Sequence, residues 1–185
     1  MKRFSWKTGL VVLFLLTGNE VRSQVYQSYK SETSFFSEAP LEDIAARNDG
    51  GASVLNTDSH EIVFVIPVRG FEFRKSLMQE HFNENYLESD KYPSATFKGR
   101  ILGFDPSGEA KQQVQAEGVL SIHGVSKPVK AAGTIEKRGK ELILVSGFEV
   151  AVKDYQITIP RLVIKNIAEV VEVKLEYYYK PKTEN

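Results

Sequence analysis

The sequence predicts an all-β protein, an antiparallel barrel of about eight strands with one short amphipathic helix. Three observations support this prediction. Apolar and polar residues alternate along several segments, turn-forming residues separate those segments, and glycines fall on one face of the predicted strands. With 185 residues, 42% of them hydrophobic, the chain is long enough to bury the core of one such domain.

The clearest predicted strand covers residues 171–179. Apolar and aromatic side chains occupy every second position, namely Val171, Val173, Leu175, Tyr177 and Tyr179. Glutamate and lysine fill the positions between the first four of them. Because successive side chains of a strand point to opposite faces, this period of two predicts one buried face and one exposed face.

Other segments rich in β-branched and aromatic residues predict further strands, at 61–68, 95–102, 114–123, 129–135 and 142–152. Segment 61–68 (EIVFVIPV) is apolar almost throughout, which predicts a strand buried on both faces or bent at Pro67. Residues 105–108 (DPSG) predict a turn between two strands. Short strands at this spacing are typical of an antiparallel sandwich or barrel.

One segment has the period of a helix. Between residues 74 and 87, apolar or aromatic side chains and one histidine recur at helical spacing, namely Leu77, Met78, His81, Phe82, Tyr86 and Leu87. This pattern predicts a helix that packs its apolar stripe on the sheet and is broken near residues 83–85. A single helical turn is also predicted around residues 41–47.

Glycines inside the predicted strands favour a closed barrel. If Phe97 and Ile101 face inward, Gly99 and Gly103 share that face, because side chains two positions apart lie on the same side. Gly133 lies on the inner face of another strand by the same argument. Such glycines either leave space in the interior or allow sharp bending of the strand. Both explanations require a curved, closed sheet.

The first 23 residues have the layout of a secretory signal peptide. Lys2, Arg3 and Lys7 precede an apolar stretch at 9–17, and small or apolar residues precede a cleavage position before Gln24. The apolar stretch is shorter than the roughly 20 residues that span a bilayer. We therefore expect a signal peptide at 1–23, a single domain at 24–185, a periplasmic or secreted location and no integral membrane anchor after cleavage.

The composition excludes several classes of function. The chain has no cysteine, which excludes disulfides, a thiolate nucleophile and cysteine-based metal sites. Residues 24–185 carry 20 basic and 23 acidic side chains, so no basic footprint for nucleic acid is present. His60, His81 and His123 show no zinc-binding spacing, and Glu88 and Asp90 lie in a polar stretch typical of a solvated loop. No catalytic or cofactor motif is found, so we expect no enzyme activity, no cofactor and no metal.

Two segments resemble the YceI-like family of exported lipid-binding barrels. Residues 118–129 (GVLSIHGVSKPV) match the family's strand–turn signature, and residues 87–97 (LESDKYPSATF) match its K-[YF]-P-x-[AI]-x-F segment. Weaker similarity at 31–46, 71–73 and 148–177 follows in the family's order. The resemblance spans almost all of residues 24–185.

The resemblance implies an extended, lipocalin-like barrel whose interior tunnel holds a polyisoprenoid, such as an isoprenoid quinone, or a similar long-chain amphiphile. Nine apolar residues are the candidates for lining it: Phe35, Phe64, Phe73, Phe82, Tyr86, Phe97, Ile122, Phe148 and Val150. His123, Lys127 and Pro128 are the signature positions, expected to fix a hairpin, with His123 bonding to backbone carbonyls and Pro128 restricting the turn before the next strand. A structural or partner-binding barrel with a packed interior stays open as the alternative, as does a homo-oligomer.

Overall fold

The computed structural model describes residues 25–38, 43–158 and 169–182. The strands of these residues are β1 (Val25–Ser37), β2 (Ile44–Asn48), β3 (Ala52–Asn56), β4 (Glu61–Pro67), β5 (Glu72–Phe73), β6 (Ser94–Leu102), β7 (Gln112–Ile122), β8 (Val125–Arg138), β9 (Glu141–Ala151) and β10 (Val170–Pro181). Helix α1 (Ser76–His81) continues into a π-helical turn, Phe82–Tyr86. Short 3₁₀ turns follow β4 and β9, at Val68–Gly70 and Val152–Tyr155.

Eight of the strands form a closed antiparallel barrel, as the sequence predicts. Around the ring, β1 is followed by β3, β4, β6, β7, β8, β9 and β10, and the pairing of β10 with β1 closes it. The closing pair runs from Tyr26–Pro181 to Phe36–Glu172, and its register shifts once, at a β-bulge between Ser28 and Lys30. Strands β2 and β5 extend the sheet beyond β1, because the second half of β1 pairs with β2 instead of β3.

The alternation in the sequence sets the inner face of each strand, including β4. Ile62 and Phe64 are buried in β4, whereas Val63 and Val65 are 37% and 42% exposed. Of the two alternatives for this segment, burial on both faces is therefore wrong, and the strand instead ends at Pro67, where a 3₁₀ turn follows. Its outer valines lie on the outside of the barrel wall and remain accessible to solvent.

The two helical predictions have different outcomes. Around residues 41–47 the described part is strand β2, with Ile44, Ala46 and Asn48 buried and the residues between them exposed, so the prediction of a helical turn is wrong there. This period of two fits pairing with β1, which decides the conformation. Residues 41 and 42 lie outside the described ranges. The helix predicted between 74 and 87 is present as α1 and its π-helical turn, but Leu77 is 60% exposed and does not join the packed stripe.

Two glycines allow β6 and β7 to approach closely. Gly99 and Gly118 face each other in the pairing, and a Cβ atom on Gly118 would lie 2.4 Å from the Lys98 carbonyl oxygen and 2.5 Å from the Gly99 Cα atom. The Phe97 ring lies over both glycines, so that a Cβ on either would meet its Cζ atom. An aromatic ring over paired glycines replaces the packing that their missing side chains would supply.

The predicted signal peptide at 1–23 lies outside the described residues. Among the residues that the structure does describe, no helix has the length and apolar character needed to cross a bilayer.

Candidate functional site

Among the described residues, two apolar cavities lie inside the barrel and a third lies where the barrel meets β2, β5 and α1. We name them the deep, central and outer cavities, with volumes of about 50, 160 and 70 Å³. The deep cavity lies between β4 and β10 on one side and β6 to β9 on the other. The outer cavity lies beneath α1 and its π-helical turn. Within the described ranges, no charged side chain lines any of the three.

The three cavities form one series, because neighbouring cavities share walls. Phe64, Phe148 and Leu175 border both the deep and the central cavity. Phe35 and Phe82 border both the central and the outer cavity. Single layers of apolar side chains therefore separate spaces that follow one another through the barrel.

All nine residues named from the sequence as candidates for the tunnel wall border these cavities. The deep cavity is bordered by Phe64, Phe97 and Phe148. The central cavity is bordered by Phe35, Phe64, Phe82, Ile122, Phe148 and Val150. The outer cavity is bordered by Phe35, Phe73, Phe82 and Tyr86.

The nine residues named from the sequence do not include the whole wall of the central cavity. Val171, Val173 and Leu175 line the central cavity, and their alternation in β10 was the signal that they face inward. Val152 and Ile157 line it as well, but they belong to or follow a 3₁₀ turn that has no periodic signal.

A cluster of four phenylalanines lies where the central and outer cavities meet. The Phe35 and Phe82 rings are stacked, with centroids 5.6 Å apart. Phe71 and Phe73 pack at larger tilts, with centroids 5.3 and 5.8 Å from that of Phe35. The residues come from β1, the segment around β5, and the π-helical turn. The cluster joins the strand extension and the helix to the barrel.

The other end of the interior is packed and closed by tyrosines. Tyr177 and Tyr179 are fully buried. The Tyr179 hydroxyl donates to Ser53 Oγ at 2.8 Å, and the Tyr177 hydroxyl lies 3.1 Å from Thr33 Oγ1. Burial raises the pKa of both tyrosines, since desolvation disfavours the phenolate.

The signature residue His123 occupies the tight turn between β7 and β8. His123 and Gly124 have φ values of 51° and 75°, and Ile122 pairs with Val125 on either side of them. Positive φ at both central residues defines a type I′ turn, which matches the twist of the flanking strands. Lys127 and Pro128 lie inside β8, so Pro128 does not restrict the turn itself. At this position Pro128 pairs with Val119 of β7.

Both ring nitrogens of His123 contact acceptor groups. Nδ1 lies 3.2 Å from the carbonyl oxygen of Tyr155, and Nε2 lies 2.7 Å from Glu88 Oε2. A carbonyl oxygen can only accept, so Nδ1 donates to it. The Tyr92 ring packs edge-on against the imidazole, with centroids 4.6 Å apart. His123 thus connects the hairpin to the loop after α1 and to the 3₁₀ turn after β9.

Across residues 25–38, 43–158 and 169–182, no three histidine, aspartate or glutamate side chains lie close enough to bind a metal ion together. The interior therefore offers a ligand apolar surface. The fold and its cavities define a class of protein: a small antiparallel β-barrel that encloses apolar space.

Comparison with known proteins identifies the family. The family model of the YceI-like domain matches residues 23–178, so the chain belongs to the YceI-like family. No curated protein sequence matches the chain.

Solved structures share the fold at low sequence identity. A polyisoprenoid-binding domain from Saccharophagus degradans superposes with a TM-score of 0.73 at 15% identity, covering 86% of this chain and 99% of its own. BcnA from Burkholderia cenocepacia superposes with a TM-score of 0.68 at 15% identity, covering 80% of this chain and 95% of its own. A mutant YceI protein from Campylobacter jejuni, solved with a monobromobimane guest, gives a TM-score of 0.55 at 13% identity over 100% of both chains.

Proposed function

We propose that this protein is an exported carrier that holds a polyisoprenoid, or a similar long-chain amphiphile, inside its barrel and catalyses no reaction. The observation that carries the proposal is the series of three apolar cavities with shared walls and no charged lining residue in the described chain. An apolar chain placed there gains roughly 25 cal/mol for each Å² removed from water. The ligand named for the Saccharophagus degradans domain supports the isoprenoid class.

The dimensions of the cavities set a condition on binding. The central cavity, at about 160 Å³, is close to an engineered cavity of roughly 150 Å³ that holds one benzene molecule. Sites for drug-sized ligands are larger, at roughly 300–1,000 Å³. A long chain therefore requires the three cavities to join. Rotation of the separating side chains, Phe148 and Leu175 on one side and Phe35 and Phe82 on the other, achieves this.

The predicted location follows from the sequence. The signal-peptide pattern at 1–23 and membership of the YceI-like family support export to the periplasm or the medium. An apolar ligand has low solubility in such a compartment, and a barrel interior removes it from water. No catalytic group is required for this role.

A space-filling substitution tests the carrier proposal directly. Ala95 borders the central cavity, whereas Thr96 is absent from the walls of all three. We expect Ala95→Phe to weaken binding of an isoprenoid quinone by at least about tenfold, because the added ring fills the space the chain needs. The matched control, Thr96→Phe on the other face of β6, should bind like the wild type.

The measurement is a titration of residues 24–185 with the quinone, together with native mass spectrometry and extraction of any lipid that copurifies. If Ala95→Phe and Thr96→Phe bind the quinone with equal affinity, the ligand binds outside the central cavity. Failure of the wild type to bind any isoprenoid quinone would favour the alternative of a structural or partner-binding barrel.

A further inference from the structure

The barrel wall contains a place where two neighbouring strands separate. Strands β8 and β9 pair from Arg138–Glu141 to Gly133–Ser146, and in the described chain the pairing stops there. Strand β8 continues beside β7 as far as the Ile122–Val125 pair, and β9 continues beside β10 as far as Val170–Ala151. We call the interval between residues 125–132 of β8 and 147–151 of β9 the parting.

A side-chain bond marks the start of the parting. Ser146 Oγ donates to the carbonyl oxygen of Ala132 at 2.7 Å, immediately beyond the last paired residues. The next residue, Gly147, is exposed and has no side chain to cover the gap. A Cβ atom placed there would meet only the Val173 carbonyl oxygen, at 3.7 Å. The wall is therefore thin at this point and tolerates added atoms.

The interior and the outside share residues at the start of the parting. Gly133, Ser146 and Leu175 line the deep cavity, and the same three residues line a groove on the outer surface. Strand β8 contributes no residue to the central cavity, although β7 and β9 on either side of it both do. The parting thus opens the ring next to the deep and central cavities.

Tyr155 fills the parting further along. It belongs to the 3₁₀ turn that follows β9, is only 3% exposed, and forms a buried cluster with Leu120 and Val150. Half-buried Val125 and Val129 of β8 pack against this cluster. The side chain that packs between the separated strands thus comes from a short turn and not from either strand.

The position of Tyr155 is fixed through its backbone. Its carbonyl oxygen accepts the hydrogen bond from His123 Nδ1, and His123 Nε2 is bonded to Glu88. The imidazole is enclosed, with its side chain 11% exposed. The family's signature histidine therefore holds the turn that carries Tyr155.

We propose that the ligand enters and leaves the barrel sideways, through the parting between β8 and β9, and that Tyr155 is the side chain that closes it. The inference rests on the carrier function proposed above and adds the route and the closing residue. Passage at the parting breaks no β8–β9 backbone hydrogen bond, whereas β6–β7 and β7–β8 are paired over long stretches. Within the described part of the chain, movement of one 3₁₀ turn exposes the interior, and the strands stay in place.

Exchange kinetics with retinol, a fluorescent isoprenoid alcohol, test the route. We expect Tyr155→Ala to raise both the association and the dissociation rate constants about tenfold or more, with a much smaller change in Kd, because a barrier is removed and not a contact. Stopped-flow fluorescence of residues 24–185 measures both rates, and equilibrium titration measures Kd.

A labelled variant tests the same route without removing a buried side chain. The chain has no cysteine, so Gly147→Cys offers a single thiol at the start of the parting for a bulky maleimide. We expect labelled Gly147→Cys to take up retinol about tenfold more slowly than the unlabelled form. The matched control is labelled Val54→Cys, an exposed residue of β3, which should exchange retinol at the wild-type rate.

The outcomes are distinguishable. If the wild type binds retinol and an isoprenoid quinone but both variants exchange within twofold of it, the lateral route is overturned and the carrier function stands. If Tyr155→Ala does not fold, the exchange rate of labelled Gly147→Cys alone decides whether the lateral route stands. If the wild type binds neither probe at equilibrium, the carrier function fails, and the inference fails with it.

Discussion

The two ends of the barrel interior are filled in different ways. At one end, which we call the packed end, Leu55, Ile62, Tyr177 and Tyr179 are fully buried and form a continuous core. At the other end, the cavity end, large side chains border spaces that they do not fill. Both ends follow the same alternation. Alternation therefore decides which residues face inward, while side-chain volume and the partners of buried hydroxyls decide whether the interior is solid or hollow.

Removing equal volume from the two ends should have the largest contrasting effect. Ile62→Ala at the packed end should lower the free energy of unfolding by about 2–5 kcal/mol, because the surrounding core cannot close the gap. Ile122→Ala at the cavity end should cost only about 1–2 kcal/mol, since that side chain already borders empty space. Urea unfolding followed by circular dichroism measures both values. Equal losses would contradict the distinction between the ends.

A substitution where β6 meets β7 gives a smaller effect. Gly118→Ala should lower the free energy of unfolding by about 1–3 kcal/mol, because the new methyl group would overlap the Lys98 carbonyl oxygen and the Gly99 backbone. Gly147→Ala is the matched control, and it should change stability by no more than about 1 kcal/mol. The same unfolding assay applies. A neutral Gly118→Ala would show that the two strands can move apart without loss.

The smallest effect concerns the tyrosines of the packed end at alkaline pH. Burial raises the pKa of Tyr177 and Tyr179, so the unfolded chain loses these protons first, near the ordinary value of about 10. Their contribution to stability is complete below that pH and is lost as pH rises above it. The expected slope is about 1.4 kcal/mol per pH unit for each tyrosine.

Tyr179→Phe isolates one of the two contributions. Its unfolding free energy should fall less steeply between pH 10 and pH 11 than that of the wild type, in urea titrations at each pH. Tyr92→Phe is the control outside the packed end, because Tyr92 packs against His123, and its slope should match the wild type. Identical slopes for all three proteins would show that the packed end opens to solvent at alkaline pH.

The sequence predicts the barrel and its inward faces wherever the period of two is clear, as in β10. It fails for β2, because pairing with β1 overrides the local preference, and for β4, because the exposure of its outer valines depends on what covers the barrel. The partners of His123 could not be predicted. Glu88 and Tyr155 lie far from it along the chain and meet it only in the folded protein. The parting cannot be predicted from the sequence either, because the alternation of residues in β8 continues after its pairing with β9 ends.

The closing pair of the barrel has a consequence for how the chain acquires its structure. Because β1 pairs with β10, residue 26 meets residue 181, and the ring cannot close before the last strand is available. Contacts between such distant residues slow folding, since a long loop must be ordered before the pairing stabilises it. Until then, β1 and β9 present unpaired edges, which promote aggregation. A nascent chain that ends before Val170 should therefore need protection by a chaperone.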